Sequence, residues 1–223
     1  MNTTILRLGL TGLLCIPIAC TAPETSDSTE DEDPGLPRLG EAQQAVNGFY
    51  IDTPIVGAGP GCPQPLAYTV TPDGQTFTVY FSDMVLNHPP GSTFKKTNCT
   101  VGLKLHLPHG QQFSIATVDT RGFAHLPVGT YMEQRSKYYF AGSNPELRAH
   151  SRVNGFYNDD WTYTDNFGLA SSLKSPCGGQ GILNIDTALI LNTAGNPYED
   201  AYVDNTSIDG TFRMIFQANW DNC

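Results

Sequence analysis

The side chains best suited to chemistry are scattered along this chain, and their spacing decides which chemistry is open to them. His106 and His109, in "KLHLPHG" (104–110), form the tightest histidine pair. On a helix, a spacing of three would put both imidazoles on one face, where they could share a metal ion. Here apolar residues alternate up to Pro108, so the pair reads as a strand running into a turn, and convergence on a metal does not follow. His125 and His150 could act as bases, but no G-x-S-x-G is present and nothing in the sequence pairs either with a serine. Adjacent acids occur at Asp159 and Asp160, and a second group at Asp200, Asp204 and Asp209 in "EDAYVDNTSIDG". Glycosidases hold two carboxylates across a scissile bond, and oxygen-rich loops can ligate calcium, although this one lacks EF-hand spacing.

The stretch "NGFYNDDWTYTDNF" (154–167) points to a ligand rather than to a reaction. On a strand, Trp161, Tyr163 and Phe167 share one face, beside Asp159, Asp160 and several asparagines. An aromatic ring can cover the apolar face of a pyranose while amides and carboxylates take its hydroxyls. Trp161, Tyr163, Asp159 and Asp160 are therefore the candidate glycan-binding residues. The competing reading is that this stripe is the core face of a strand.

The elements that would position these groups are strands. From Gly48 onward the dominant period is two. "AYTVTPDGQTFTVYF" (67–81) alternates on both sides of a turn at "PDGQ", as a β-hairpin does. In "CTVGLKLHL" (99–107), Cys99, Val101, Leu103, Leu105 and Leu107 fall on one face, and Thr100, Gly102, Lys104 and His106 on the other. "GTYMEQRSKYYFAG" sets Tyr131, Glu133, Arg135, Lys137 and Tyr139 opposite Met132, Gln134, Ser136, Tyr138 and Phe140. A helical turn or two is suggested only at "FGLASSLKS" (167–175). Only 15% of residues are charged, and 22 Gly and 16 Pro punctuate the chain. The expectation is an all-β fold: an antiparallel β-sandwich of about nine or ten strands over residues 47–223, with a closed barrel as the alternative.

The cysteines and the N-terminal segment speak to compartment. "MNTTILRLGLTGLLCIPIAC" carries Arg7 and then an apolar run ending near Ala19, the pattern of a secretory signal over 1–19. "PIAC" approximates a bacterial lipobox, so Cys20 is the expected lipid attachment site, with cleavage after Ala22 as its competitor. Seven acids (Glu24, Asp27, Glu30, Asp31, Glu32, Asp33 and Glu41) stand before Val46 against Arg7 and Arg38, so half of the net charge of -10 belongs to this region. Residues 20–46 have almost nothing to bury and read as an acidic disordered tether. The membrane is then met only through the anchor, at the cell surface or, in a bacterium, at the outer membrane. The acidity speaks against nucleic acid as a partner.

Cys62, Cys99, Cys177 and Cys223 remain, an even number without a C-x-x-C, which reads as two disulfides rather than zinc. Three connectivities are open. Pairing sequence neighbours would close loops of 38 and 47 residues and would explain why the chain ends on a cysteine.

The order of motifs is itself informative. "GAGPGCP" (57–63), "VTPDGQTFTVYF" (70–81), "KTNCTVGLKLHLPHG" (96–110) and "ATVDTRGFAHL" (116–126) are followed by "SKYYFAG" (136–142), "SPCGGQGILNIDT" (175–187) and a tryptophan-to-cysteine ending. This succession resembles the family known as domain of unknown function 4360, over residues 48–223. The resemblance implies export, disulfides and a β-rich domain, and it brings no catalytic residues. The expected function is an extracellular binding module, glycan being the first candidate ligand, with no cofactor. The alternatives are an extracellular hydrolase of polysaccharide or another polymer, and a structural envelope protein.

Overall fold

Apolar–polar alternation becomes two stacked antiparallel sheets in the computed structural model, which describes residues 48–52, 56–168, 173–204 and 213–223. The first sheet contains β1 (Tyr50–Ile51), β2 (Val56–Ala58), β6 (Phe94–Leu107), β8 (Tyr131–Phe140), β9 (Glu146–Asn154) and β11 (Gly179–Asn192). Its order is β1-β6-β11-β8-β9, with β2 also on β6. The second sheet contains β3 (Ala67–Val70), β4 (Thr76–Tyr80), β5 (Leu86–His88), β7 (Gln111–Leu126), β10 (Tyr157–Asn166), β12 (Ala201–Asp204) and β13 (Arg213–Asn222). Its order is β3-β4-β13-β7-β12-β5. β10 lies on the other side of β7, because residues from Thr117 to Arg121 pair with β10 and β13 at once. The described residues thus form thirteen strands rather than nine or ten. The excess is made of strands of two to four residues, too short to show a period. No helix occurs among the described residues.

The inner faces are those the alternation selects. Cys99, Val101, Leu103 and Leu105 of β6 are fully buried, as are Leu183, Ile185, Leu189 and Leu191 of β11. Opposite them lie Phe113, Ile115 and Val118 of β7 with Met214 and Phe216 of β13. Rings join the sheets: Tyr138 meets Phe216 at 5.5 Å between centroids, and Phe113 meets Phe140 at 6.2 Å. Burying each such ring is worth about 1.5–3 kcal/mol. The inner face of the first sheet also holds polar groups, which satisfy one another. Ser136 Oγ donates to Thr187 Oγ1 at 2.8 Å, Ser151 Oγ donates to Gln134 Oε1 at 3.0 Å, and the Gln134 amide donates to Ser136.

Two disulfides staple the domain, Cys62–Cys99 and Cys177–Cys223, so neighbours along the chain are paired. The second fastens the last strand to the segment entering β11, in the opposite sheet, and the Cys223 amide adds a hydrogen bond to the Gly110 carbonyl at 2.9 Å. The signal segment 1–19, Cys20, the tether 20–46, residues 169–172 at the centre of the helical turn expected over 167–175, and Asp209 lie outside the described residues.

Candidate binding site

Strand β10 carries the residues that the sequence singles out for sugar stacking, and its register decides their fate. Asp159, Trp161, Tyr163 and Asp165 stand opposite Ala124, Gly122, Thr120 and Val118 of β7, on the inward side. Trp161 is 3% exposed, and its indole lies over Gly122, where a Cβ would come within 3.0 Å of Cζ2. Its place is in the core, which corrects the expectation of an open sugar platform. The physical reason is that the edge of the second sheet is covered by β9: the half-buried Tyr163 donates its hydroxyl to the Arg152 carbonyl. Asp159 and Asp160 are both exposed, but the pleat sends them to opposite faces, so they do not grip one ligand or flank one bond. Burial pushes the Asp165 carboxyl up from its ordinary 3.8, with the His150 charge opposing.

The histidines are likewise dispersed. His106 stacks on Tyr50 at 4.0 Å and shares a 2.7 Å hydrogen bond with Asp52, which also pairs with Lys104. Together His106 and then Lys104 hold the Asp52 carboxyl below its ordinary value. His109 sits in the β6–β7 turn. His125 lies on the outer face of the second sheet, between Asn158 at 3.0 Å and the Tyr202 ring at 5.1 Å. His150 points outward from β9, 3.6 Å from Glu133. Among the described residues no three His, Cys, Asp or Glu gather as a metal site, and of the acidic cluster expected to hold calcium only Asp200 has a described side chain.

What the structure does assemble is a crest of exposed apolar side chains at one end of the sandwich. Four connections meet there: 89–93, 127–130, 155–156 and 193–200. They are tied together by backbone hydrogen bonds from Gly155 to Thr130 (2.9 Å), from Gly91 to Pro197 (2.7 Å) and from Thr193 to Thr93 (3.0 Å). Glycines permit the closest approaches: a Cβ on Gly155 would stand 1.9 Å from the Pro127 oxygen, and one on Gly195 would stand 2.3 Å from the Gly129 oxygen. From this support project Phe156, Tyr198, Val128 and Phe94, exposed by 77%, 82%, 67% and 55%. Exposed polar groups accompany them: Asn154, which accepts from Arg152 Nε at 2.9 Å, and Glu199 and Asp200. Strand alternation gives no sign of this site. Its trace in the sequence is an aromatic set inside turn chemistry, in "NGFY" and "GNPYED".

A second feature lies on the outward face of the first sheet. Register places Asn98, Ala188, Arg135 and His150 in one row across the strands, and Thr100, Asp186, Lys137 and Arg148 in the next. The small Ala188 between longer neighbours leaves a hollow of about 660 Å³. Glu133, beside it, is pushed up by burial but held below its ordinary value by Arg135, His150 and Arg152 together.

Fold and surfaces define a class: a disulfide-stapled, two-sheet antiparallel β domain with closely packed loops at one end. Within that class the chain belongs to the family described as "Domain of unknown function (DUF4360)", whose pattern matches residues 51–223. It is 33% identical over 175 residues to an "Uncharacterized secreted protein" of Arthroderma benhamiae, covering 76% of this chain and 71% of that one. It is also similar to a solved structure of TmCBM61 in complex with beta-1,4-galactotriose. That likeness has 9% identity, covers 77% of this chain and 90% of the other, and has a TM-score of 0.26. At that score it bears on neither the ligand nor the site.

Proposed function

We propose that this protein is an exported glycan-binding module whose binding surface is the loop crest. Export is supported by the signal-like residues 1–19, by two disulfides of the kind that persist outside the reducing cytoplasm, and by the secreted relative. On this reading Cys20 carries a lipid anchor and residues 20–46 hold the domain away from the membrane.

One observation carries the choice of site: Phe156 and Tyr198 are left in water on loops that pack backbone to backbone at Gly155 and Gly195. Each such side chain forgoes about 1.5–3 kcal/mol of burial, so an exposed cluster of them marks an interaction surface. Aromatic faces bordered by Asn154, Glu199 and Asp200 match the two needs of a sugar, an apolar ring face and hydroxyls to be hydrogen-bonded. Hydrolysis would need an acid pair or a base and nucleophile converging on one bond. Asp159 and Asp160 diverge, and His125 hydrogen-bonds an asparagine.

The test is a glycan array probed with the secreted protein, followed by calorimetry on the best ligand. Phe156→Ala and Tyr198→Ala should each weaken binding by about ten-fold or more, the scale of an aromatic contact, without lowering the unfolding midpoint. An array without signal, or affinity that survives both substitutions, would remove the reading.

A further inference from the structure

Six of the ten Lys and Arg residues that follow Val46 stand on the outward face of the first sheet: Lys96, Lys104, Arg135, Lys137, Arg148 and Arg152. The same face carries four acids, Asp52, Glu133, Glu146 and Asp186. It is therefore positive on a domain that is negative as a whole. The contrast sharpens in the hollow over Ala188, where Lys96, Arg135, Lys137, Arg148 and His150 face Asp186 alone among the acids. Arg148 and Arg135 are steered by Glu146 and Glu133, at 2.6 Å and 3.1 Å from their Nε atoms, which fixes their guanidinium groups without filling the hollow. Lys137 also stands 3.7 Å from Glu146, whereas Lys96 has no acid partner among the described residues. Gathering cations from three strands costs mutual repulsion that Glu133, Glu146 and Asp186 offset only in part, and an anion bound between them relieves the rest.

We infer that this hollow is a second binding site, distinct from the loop crest, and that its ligand is an acidic polysaccharide. Cations at the walls pair with carboxylate or sulfate groups of the polymer. Asn98, Thr100 and Asp186, interleaved with them, take hydroxyls: Thr100 Oγ1 already donates to Asp186 Oδ1 at 3.2 Å, so the carboxylate is oriented and keeps its other oxygen for a sugar O–H. That mixture separates a hydroxylated polyanion from nucleic acid. A nucleic-acid groove carries cations and little acid, because every phosphate repels a carboxylate. The open sheet face lets a chain lie across it.

The experiment measures binding of the full secreted protein to polygalacturonate and to dextran sulfate. Methyl-esterified polygalacturonate, unmodified dextran and duplex DNA serve as controls, at low and high salt. The expected result is binding to at least one acidic polymer, lost on esterification or in the neutral counterpart and weakened several-fold by salt. Which acidic polymer binds tells carboxylate from sulfate recognition. Lys96→Ala combined with Arg148→Ala should weaken binding at least ten-fold. Ala188→Phe, which keeps every charge but fills the hollow, should do the same with an unchanged dichroism spectrum. Failure to bind either acidic polymer, affinity indifferent to both sets of variants, or equally tight binding of DNA would each overturn the inference. Phe156→Ala should leave this binding intact, which keeps the two sites separable.

Discussion

The Cys177–Cys223 bridge ties the end of the chain to the opposite sheet, and replacing both cysteines by serine tests what it contributes. The bridge closes a loop of 47 residues, for which restriction of the unfolded chain predicts about 4 kcal/mol. The folded side of the balance reduces that figure. From Arg213 to Gln217, strand β13 is paired on both sides, with β4 and β7, and it stays in place without the bridge. Past the register shift at Gln217/Ala218 it pairs with β7 alone. The last residues are also held by the Ala218–Gln75 and Cys223–Gly110 backbone bonds, by the Trp220 indole donating to the Gly74 carbonyl at 3.2 Å with its ring edge-on to Phe49 and Phe113, and by the Lys174–Asp221 ion pair at 2.9 Å. The double variant should thus remain folded, lose most of those ~4 kcal/mol, and fray from Ala218 onward. With an m-value of about 2 kcal/mol/M, the urea midpoint should fall by about 2 M. Hydrogen exchange should show amides 218–223 losing protection while Met214 and Phe216 keep theirs. A midpoint unchanged within experimental error, or full protection of the last six amides, would refute the reasoning.

Trp161→Ala empties a core site over Gly122 and should cost about 3–5 kcal/mol in urea unfolding while leaving glycan affinity at the crest unaltered. Asp165 gives a pH signature, since its carboxyl is raised by burial and its Oδ2 is buried without a hydrogen-bond partner. Well below 3.8 the group is neutral in both states; as pH climbs past 3.8 the unfolded chain ionises first, so stability is lost until the folded group ionises too. Asp165→Asn should remove that decline, read as a variant-minus-wild-type difference in urea midpoint that grows in the variant's favour from pH 3 to 7. Gly155→Ala forces a Cβ against the Pro127 carbonyl and should lower both the thermal midpoint and binding at the crest, because it displaces Phe156.

Much of the architecture was legible locally because side-chain direction on a strand is a local property. Successive Cβ atoms alternate, so the buried rows of β6 and β8 and the hairpin joining β3 to β4 follow from the order of residues alone. So do the number of sulfurs and the even count that makes bridges. Trp161 shows where locality ends. Alternation places it on a face, but whether that face meets water depends on β9 closing over the edge. Cysteine pairing, the four loops that raise Phe156 and Tyr198 together, and the cations gathered from β6, β8 and β9 around Ala188 were decided by register between strands far apart in the chain. The sequence by itself determined periods, turns and the staple inventory, because those depend on neighbours a few residues away. Only the tertiary structure decided what is covered and what is brought together, because burial and electrostatic crowding are properties of surfaces that exist once the sheets have stacked.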